Sequence, residues 1–278
     1  MTTPLVAMLA AIAAGALAWT EAGAAASSPE AVNPMQNLAH LNNFDVVELR
    51  RYTIKAGERD NFALYFENYF PEAFQQMGAM VFGQFAQRDN PDGFVWLRGF
   101  ASTDARATIC AAFYYGPLWK EHKATMNDRL IDHTNVLLLR PLDRGRAIPV
   151  LPGADPIKEA SHAKGIVVAQ IFPLKPGSAD AFARQAEASF ARYRAAGARD
   201  AGVLVTLDVP NNFPQLPFRT DGPYLVWLGI IRDNAALETQ FKPALERATA
   251  ALAAGDFLRG APELIFMDPT PRSRLRWH

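Results

Sequence analysis

One stretch of sequence occurs twice in this chain, and this repeat limits its fold more than any other feature. Residues 52–62 (YTIKAGERDNF) match residues 172–182 (FPLKPGSADAF), with lysine, glycine, aspartate and phenylalanine at the same places. Further along, the tripeptide VWL at 95–97 occurs again at 226–228. Self-similarity of this kind is the signature of a structural unit used more than once, so we expect two copies of one unit.

Both copies contain the same order of predicted elements, read from hydrophobic periodicity and turn residues. The first copy has predicted strands at 45–54, 79–87, 93–101 and 135–140, with helices at 59–77 and 103–129. The second has predicted strands at 165–174, 200–208, 223–232 and 263–267, with helices at 179–196 and 234–254. Gly78 and Gly197 follow the first helix of each copy as C-caps. The order βαββαβ is that of a ferredoxin-like unit.

A βαββαβ sheet carries helices on one face only, so its other face must be covered. Two tandem copies achieve this by packing sheet against sheet with the helices outside. The predicted fold class is therefore α+β, with two tandem ferredoxin-like βαββαβ units forming an α/β barrel within one chain. The predicted domains are a first unit at 45–142, a linker at 143–164, a second unit at 165–268 and a C-terminal tail at 269–278.

The first residues read as a targeting segment. An apolar, uncharged stretch at 4–19 is followed by small residues at 22–28, which predicts a secretory signal peptide at 1–26 and an extension at 27–44. We therefore expect an exported protein, periplasmic or secreted. The alternative is an uncleaved membrane anchor, although the stretch is shorter than the roughly 20 residues that a spanning helix needs.

Charge and cysteine content narrow the function classes. The chain has 28 basic and 28 acidic residues, which argues against a nucleic-acid partner because such proteins carry a basic excess. A single cysteine, Cys110, allows no internal disulfide. Its apolar helical surroundings predict a buried core thiol. A nucleophile is the alternative, and it would need a nearby base.

Alternation along the strands separates charged and aromatic side chains from small aliphatic ones. One face of the first strand carries Glu48, Arg50 and Tyr52, and one face of the third carries Trp96 and Arg98. We expect these faces to lie between the two sheets and the aliphatic faces to lie beneath the helices. Charges buried there must be paired, since an unpaired buried charge costs several kcal/mol.

Two interpretations of this face remain open. It is either an ion-pair network that fixes how the sheets meet or a polar pocket in which arginine binds an anionic or carbonyl group and aromatic rings stack on the ligand. The candidate ligand-binding residues are Glu48, Arg50, Tyr52, Trp96 and Arg98 from the first copy, with Gln170 and Trp227 from the second.

Histidines provide a weaker candidate site. His122, Asp132 and His133 are predicted to form an acid/base cluster, with helix capping and loop bonding as the alternative. No histidine pair has metal-binding spacing, so neither a metal nor a cofactor is predicted. Haem binding through His162 is a further alternative. GxSxG, P-loop and GxGxxG motifs are absent from the sequence. The sequence therefore gives no support for a GxSxG hydrolase, an NTPase or a dinucleotide-binding protein.

The connection at 208–223 is long for a link between two strands. Loops of this length are usually functional or disordered. It contains the apolar residues Phe213, Leu216 and Phe218. We interpret it as a lid over one mouth of the barrel, a dimer arm or a surface loop.

Three segments resemble the NIPSNAP family: residues 48–57 (ELRRYTIKAG), 116–122 (GPLWKEH) and 131–141 (IDHTNVLLLRP). The resemblance covers about 45–142 well and 165–268 more loosely. It implies a dimeric α/β-barrel fold of ferredoxin-like units. It implies no particular reaction, because related barrels include cofactor-free monooxygenases, isomerases, haem enzymes and binding proteins.

The resulting functional hypothesis is an exported NIPSNAP-like protein that binds a small organic molecule between the two sheets. If it is an enzyme, arginine would polarise a carbonyl or enolate oxygen, and Glu48 or a histidine would move a proton. The alternative is a non-catalytic interaction protein with a filled sheet–sheet interface. A homodimer or higher oligomer is left open.

Overall fold

The computed structural model describes residues 43–154 and 163–278, which form a closed barrel of eight antiparallel strands. The predicted signal peptide, most of the extension at 27–44 and His162 lie outside the described residues. In the part of the chain that is described, no helix has the length and apolar character required to cross a membrane.

The first half contains four strands and four helices. They are β1 (Val46–Ile54), α1 (Arg59–Tyr69), α2 (Pro71–Gln76), β2 (Met80–Gln87), β3 (Gly93–Phe100), α3 (Thr103–Tyr114), α4 (Pro117–Asn127) and β4 (Leu130–Pro141). The second half repeats the strand order. It contains β5 (Ile166–Pro173), α5 (Ala179–Ala195), β6 (Arg199–Thr206), β7 (Tyr224–Ile231), α6 (Asn234–Ala236), a π-helical turn (Leu237–Phe241), α7 (Lys242–Ala253) and β8 (Glu263–Pro269).

Both helices predicted for the first half are divided in two. Pro71 begins α2 and Pro117 begins α4, each at the start of its helix. Proline fits the first helical turn but cannot continue a preceding helix, because it lacks an N–H and its ring clashes with the previous turn. Each of the two predicted helices is therefore a pair of shorter helices. Residues of both pairs line a cavity over the sheet.

The two halves are joined edge to edge by hydrogen-bonded strands. The strand order around the barrel is β1-β3-β2-β8-β5-β7-β6-β4. One seam pairs 85–87 of β2 with 267–269 of β8, and the other pairs 139–141 of β4 with 204–206 of β6. This arrangement confirms the predicted α/β barrel within one chain.

Small aliphatic side chains from both halves fill the barrel. Val47, Leu49, Val95 and Leu97 pack there against a matching set that includes Val167, Ala169, Ile171, Val226, Leu228 and Ile265. An eight-stranded barrel has an interior just wide enough for side chains to fill it. Among residues 43–154 and 163–278, buried side chains occupy the space between the sheets where the ligand chamber was predicted.

The prediction of which face is buried between the sheets was therefore wrong. Trp96 belongs to a second core, formed by the outer face of the first sheet and its helices. Glu48, Arg50, Tyr52 and Arg98 share that outward face, since they alternate with the interior residues along β1 and β3. The interior positions of β1 and β3 are filled by aliphatic side chains, and the larger tryptophan and arginine side chains that alternate with them lie beneath the helix pairs.

The segments predicted as linker and tail contribute to the barrel core. Leu275 is fully buried with the interior residues, and its backbone N–H donates to the carbonyl of Phe82 at 2.9 Å. Ile148, Val150 and Leu151 join the same cluster. The end of the chain is thus an integral part of the fold.

Candidate functional site

A buried carboxylate organises the outer face of the first sheet. Glu48 on β1 lies directly opposite Arg98 on β3, and its Oε2 accepts from Arg98 Nε at 2.8 Å and from Arg50 Nη1 at 2.8 Å. Its Oε1 accepts from Arg106 Nε of α3 at 2.6 Å. All four side chains are at most 1% exposed. We refer to them as the Glu48 cluster.

Glu48 and Arg98 remain ionised in the buried cluster. Burial alone would raise the pKa of Glu48, but the charges of Arg98, Arg50 and Arg106 outweigh burial and hold that pKa far below its usual range. Burial would lower the pKa of Arg98, but the charge of Glu48 and other nearby groups raise it well above its ordinary value. Glu48 is therefore paired, as predicted for a buried charge, but three positive charges share its one negative charge.

Some guanidinium N–H donors of the Glu48 cluster have no hydrogen-bond acceptor among the described residues. Arg50 Nη2, Arg98 Nη1 and Arg106 Nη2 are buried and have no hydrogen-bond partner in the part of the chain that the structure describes. A buried donor without a partner loses the hydrogen bonds that it would make in water. The cluster therefore carries more positive charge and more N–H groups than its own carboxylate can satisfy.

Arg106 was not among the predicted site residues, although its helical register indicated a buried position. Arg106 lies on the same face of α3 as the buried residues Ile109, Cys110 and Phe113, at the spacing of helical neighbours. An arginine in that register predicts a buried partner. Cys110 itself is a buried thiol whose pKa burial raises, which supports the prediction of a core residue.

An aromatic cavity of about 540 Å³ lies beside the Glu48 cluster, between the first sheet and its helices. Tyr52 of β1 and Trp96 of β3 form its sheet side. The remaining lining comes from the helices, the start of β4 and one loop of the second half: Phe62, Phe66, Phe70, Phe74, Phe113, Tyr114, Tyr115, Trp119, Met126, Asn127, Leu130, Ile131, His133, Phe213, Gln215 and Leu216. Both halves thus contribute, but the cavity lies outside the barrel.

The loop between β6 and β7, residues 207–223, covers part of this cavity. It contacts the first half through Asn212, whose Oδ1 accepts from Arg106 Nη1 at 2.9 Å and whose Nδ2 donates to the carbonyl of Thr103 at 2.7 Å. The Phe213 ring lies 5.9 Å from the Tyr115 ring. The loop therefore lies where a lid would lie, but over a helix-side cavity and not over a mouth of the barrel.

The charges of the Glu48 cluster lie immediately behind the cavity wall. Arg50 Nε donates to the hydroxyl of Tyr52 at 2.9 Å. The guanidinium carbon of Arg98 lies 5.0 Å from the Trp96 ring centre and 5.9 Å from that of Tyr114. Charges at such distances interact strongly with neighbouring groups in a buried, apolar environment.

Gln170 and Trp227 do not join this site, which corrects the prediction that they would. Trp227 is fully buried in the core of the second half, stacks on Phe241, and donates from Nε1 to Asp200 Oδ1 at 3.0 Å. Gln170 accepts from the Tyr193 hydroxyl at 3.1 Å. They occupy the outer face of the other sheet, as Trp96 does in the first half.

The predicted acid/base cluster is not formed. His122 Nδ1 is 2.7 Å from the Tyr65 hydroxyl, while Asp132 accepts from the backbone and side chain of Thr134. Those hydrogen bonds lower the pKa of Asp132. Of the three predicted residues, His133 alone lines the cavity, with its ring 6.2 Å from that of Tyr52. Within 43–154 and 163–278, no group of three His, Cys, Asp or Glu residues is arranged to hold a metal ion.

Comparison with known proteins supports the fold. The NIPSNAP family model matches residues 47–144. The structure of an anthrone oxidase-like protein superposes with a TM-score of 0.56 and 13% identity, over 83% of this chain and 93% of that chain. A candidate monooxygenase from Lactobacillus acidophilus superposes with a TM-score of 0.50 and 10% identity, over 84% and 100% of the two chains.

A NIPSNAP family protein of unknown function from Agrobacterium tumefaciens is 21% identical, over 36% of this chain and 89% of that chain, with a TM-score of 0.33. No curated protein matches the chain. At these identities the first two structures establish that the fold is shared, and they say nothing of a shared ligand.

Proposed function

We propose that this chain, whose residues 47–144 match the NIPSNAP family model, binds a small aromatic organic molecule in the cavity beneath the β6–β7 loop. The cavity is the observation that carries the proposal. Its volume of about 540 Å³ falls within the range of roughly 300–1,000 Å³ common for ligand sites. Its lining is mainly aromatic with a few polar groups, as in sites that bind flat organic molecules.

The aromatic lining of the cavity favours a ligand with fused or linked rings. Phe74 and Phe113 are stacked with their ring centres 4.1 Å apart, and Trp96 lies 4.9 Å from Phe66. Aromatic pairs favour offset-stacked and edge-to-face contacts, and a ring inserted among these would make the same contacts. The polar lining groups, including Tyr52, would then orient the ligand.

A chemical step on the ligand stays a prediction. Glu48, an earlier candidate for proton transfer, has no exposed surface and is held by three guanidinium groups, so it is a poor proton acceptor. His133 is exposed and lines the cavity beside Tyr52, so it is the better candidate for moving a proton.

The alternative of a non-catalytic interaction protein has one observation in its favour. The filled barrel interior is what that alternative requires. It gives no account of an aromatic cavity covered by a loop of the other half, and we therefore prefer the binding proposal. Export and oligomerisation also stay predictions.

Fluorescence titration with N-phenylnaphthylamine, a neutral aromatic probe, tests the proposal. We expect saturable binding of one probe per chain. Phe213→Ala and Leu216→Ala should each weaken binding about tenfold, since each removes apolar contact worth roughly 1.4 kcal/mol. Phe218→Ala is the matched control, because Phe218 belongs to the same loop but does not line the cavity.

Saturable binding that is equally strong in Phe213→Ala, Leu216→Ala and Phe218→Ala would contradict the proposed location. An absence of saturable binding to the wild-type chain would contradict the proposal as a whole.

A further inference from the structure

We infer that the cavity takes its ligand as an anion, whose charged oxygen is bound by the hydroxyls of Tyr52 and Tyr114 and not by an arginine. The inference rests on the proposed function, and it adds the chemical class of the ligand. It starts from the charge imbalance beside the cavity.

The Glu48 cluster holds three guanidinium groups and one carboxylate. Across the described ranges, no second carboxylate lies within ion-pair distance of Arg50, Arg98 or Arg106. Two positive charges are therefore left without a counterion in the buried interior. Unpaired buried charge is strongly disfavoured, so an anionic group near these arginines is stabilised by their excess positive charge.

The arginines themselves are out of the ligand's reach. Arg50 and Arg98 have no exposed surface, and Arg106 is 1% exposed. A molecule in the cavity therefore does not touch these side chains. Their charge acts through the residues that stand between them and the cavity.

Tyr52 is the first of these residues. Its hydroxyl oxygen accepts a hydrogen bond from Arg50 Nε, and a guanidinium has no acceptor to offer in return. The hydroxyl hydrogen of Tyr52 must therefore point elsewhere, and no acceptor for it lies among the residues that the structure describes. Since Tyr52 lines the cavity, this hydrogen is available to a ligand oxygen, in a bond strengthened by the arginine behind it.

Tyr114 supplies a second donor. It lines the cavity, and the guanidinium carbon of Arg98 lies 5.9 Å from its ring centre. Burial raises the pKa of Tyr114 to about 12, with the charge of Arg98 opposing, so its hydroxyl keeps its hydrogen at neutral pH. Two phenol donors backed by excess positive charge resemble an oxyanion-binding arrangement.

The second half provides an internal comparison. At the places that correspond to Glu48, Arg50 and Tyr52 it has Val168, Gln170 and Phe172. The Glu48 cluster thus occurs in the half that holds the aromatic cavity. The ligand class that fits is an aromatic carboxylate, sulfonate, phenolate or enolate.

Two probes with the same ring system test the inference. Anilinonaphthalene sulfonate carries a sulfonate, and N-phenylnaphthylamine is its neutral counterpart. We expect the wild-type chain to bind the sulfonate at least about tenfold more tightly, in keeping with charge-assisted hydrogen bonds. Tyr52→Phe and Tyr114→Phe should each reduce sulfonate affinity about tenfold and change affinity for the neutral probe by less than about twofold.

Tyr193→Phe is the matched control. Tyr193 is a buried phenol on the equivalent helix side of the second half, where it donates to Gln170. Its loss should leave the ratio of the two affinities unchanged. Circular dichroism and thermal unfolding of each variant show that it is folded, and Phe213→Ala, which should weaken both probes, shows that both occupy the cavity.

The outcomes separate the two proposals. If both probes bind equally and Tyr52→Phe changes neither, the inference is overturned while the proposed function stands. If neither probe binds the wild-type chain, the proposed function fails. If the preference for the sulfonate survives in the Tyr52→Phe/Tyr114→Phe double variant, recognition through the two phenols is wrong.

Discussion

One carboxylate sets the arrangement of the charged residues beside the cavity. Glu48 accepts hydrogen bonds from Arg50, Arg98 and Arg106, and so fixes side chains from two strands and one helix. Such a network is a weak source of net stability when complete, but removing one member leaves uncompensated charge in the interior. Glu48 is thus the residue on which the local structure most depends.

Glu48→Gln should lower the free energy of unfolding at neutral pH by about 3–5 kcal/mol, as breaking a buried ion pair does. The pKa of Glu48 is lower in the folded chain than its ordinary value of 4.5. Its contribution is therefore fully present above pH 4.5 and is lost as the pH falls further towards the folded value. The variant should show a shallower loss of stability below pH 4.5 than the wild type.

Urea unfolding at several pH values measures both effects. Glu121→Gln, at an exposed glutamate, is the control and should follow the wild-type curve. Parallel curves for wild type and Glu48→Gln below pH 4.5 would show that Glu48 has no depressed pKa in the folded chain.

Individual elements were largely predictable from the sequence, but their environment was not. Strand alternation and helical spacing are local signals, and they gave the order βαββαβ twice. Which strand face points into the barrel depends on what the other half presents and on the width of the barrel, so the assignment of Trp96 failed. Arg106 was missed because its partner, Glu48, is 58 residues away in the sequence.

The turns after β1 and β5 show how far the two copies still agree. Gly57 and Gly177 both have φ of +76°, and nothing lies within 4 Å of a Cβ built at either position. A non-glycine residue in the left-handed region is disfavoured by roughly 1–2 kcal/mol. The loss of folding free energy caused by a substitution at Gly57 or Gly177 therefore comes from backbone strain and not from steric clashes.

Gly57→Ala and Gly177→Ala should each lower the free energy of unfolding by about 1–2 kcal/mol. The two losses should agree within about 0.5 kcal/mol, because the turns have the same conformation and equally open surroundings. Gly260→Ala, where φ is not positive and the nearest atom to a new Cβ is at 3.7 Å, is the control and should change stability little. Chemical denaturation measures all three, and a loss confined to one turn would show that the copies differ there.

At the scale of the whole barrel, closure joins the two halves at both seams, so we expect them to unfold together. Each half supplies one edge of each seam, and the interior side chains come from both. The C-terminal segment completes this core through Leu275, from a region that the sequence analysis assigned to a tail. Residues 269–278 contain few apolar residues and show no helical or strand periodicity, so their packing in the barrel was not predicted.

Leu275→Ala should lower the free energy of unfolding by about 2–5 kcal/mol, the usual effect of truncating a buried leucine. Tryptophan fluorescence and far-ultraviolet circular dichroism should report one shared transition at a lower denaturant concentration. Leu64→Ala is the control, since Leu64 is 61% exposed. Wild-type stability in Leu275→Ala would mean that the end of the chain does not pack into the barrel.

The long β6–β7 loop has a consequence for symmetry. In a barrel built from two identical chains, every connection occurs twice, related by the two-fold axis. Here residues 207–223 of the second half cover a cavity in the first, whereas the matching connection in the first half is only residues 88–92. Because both halves belong to one chain, the second half covers a cavity in the first without a symmetry-related copy of that arrangement, so the binding proposal predicts one ligand per barrel and not two.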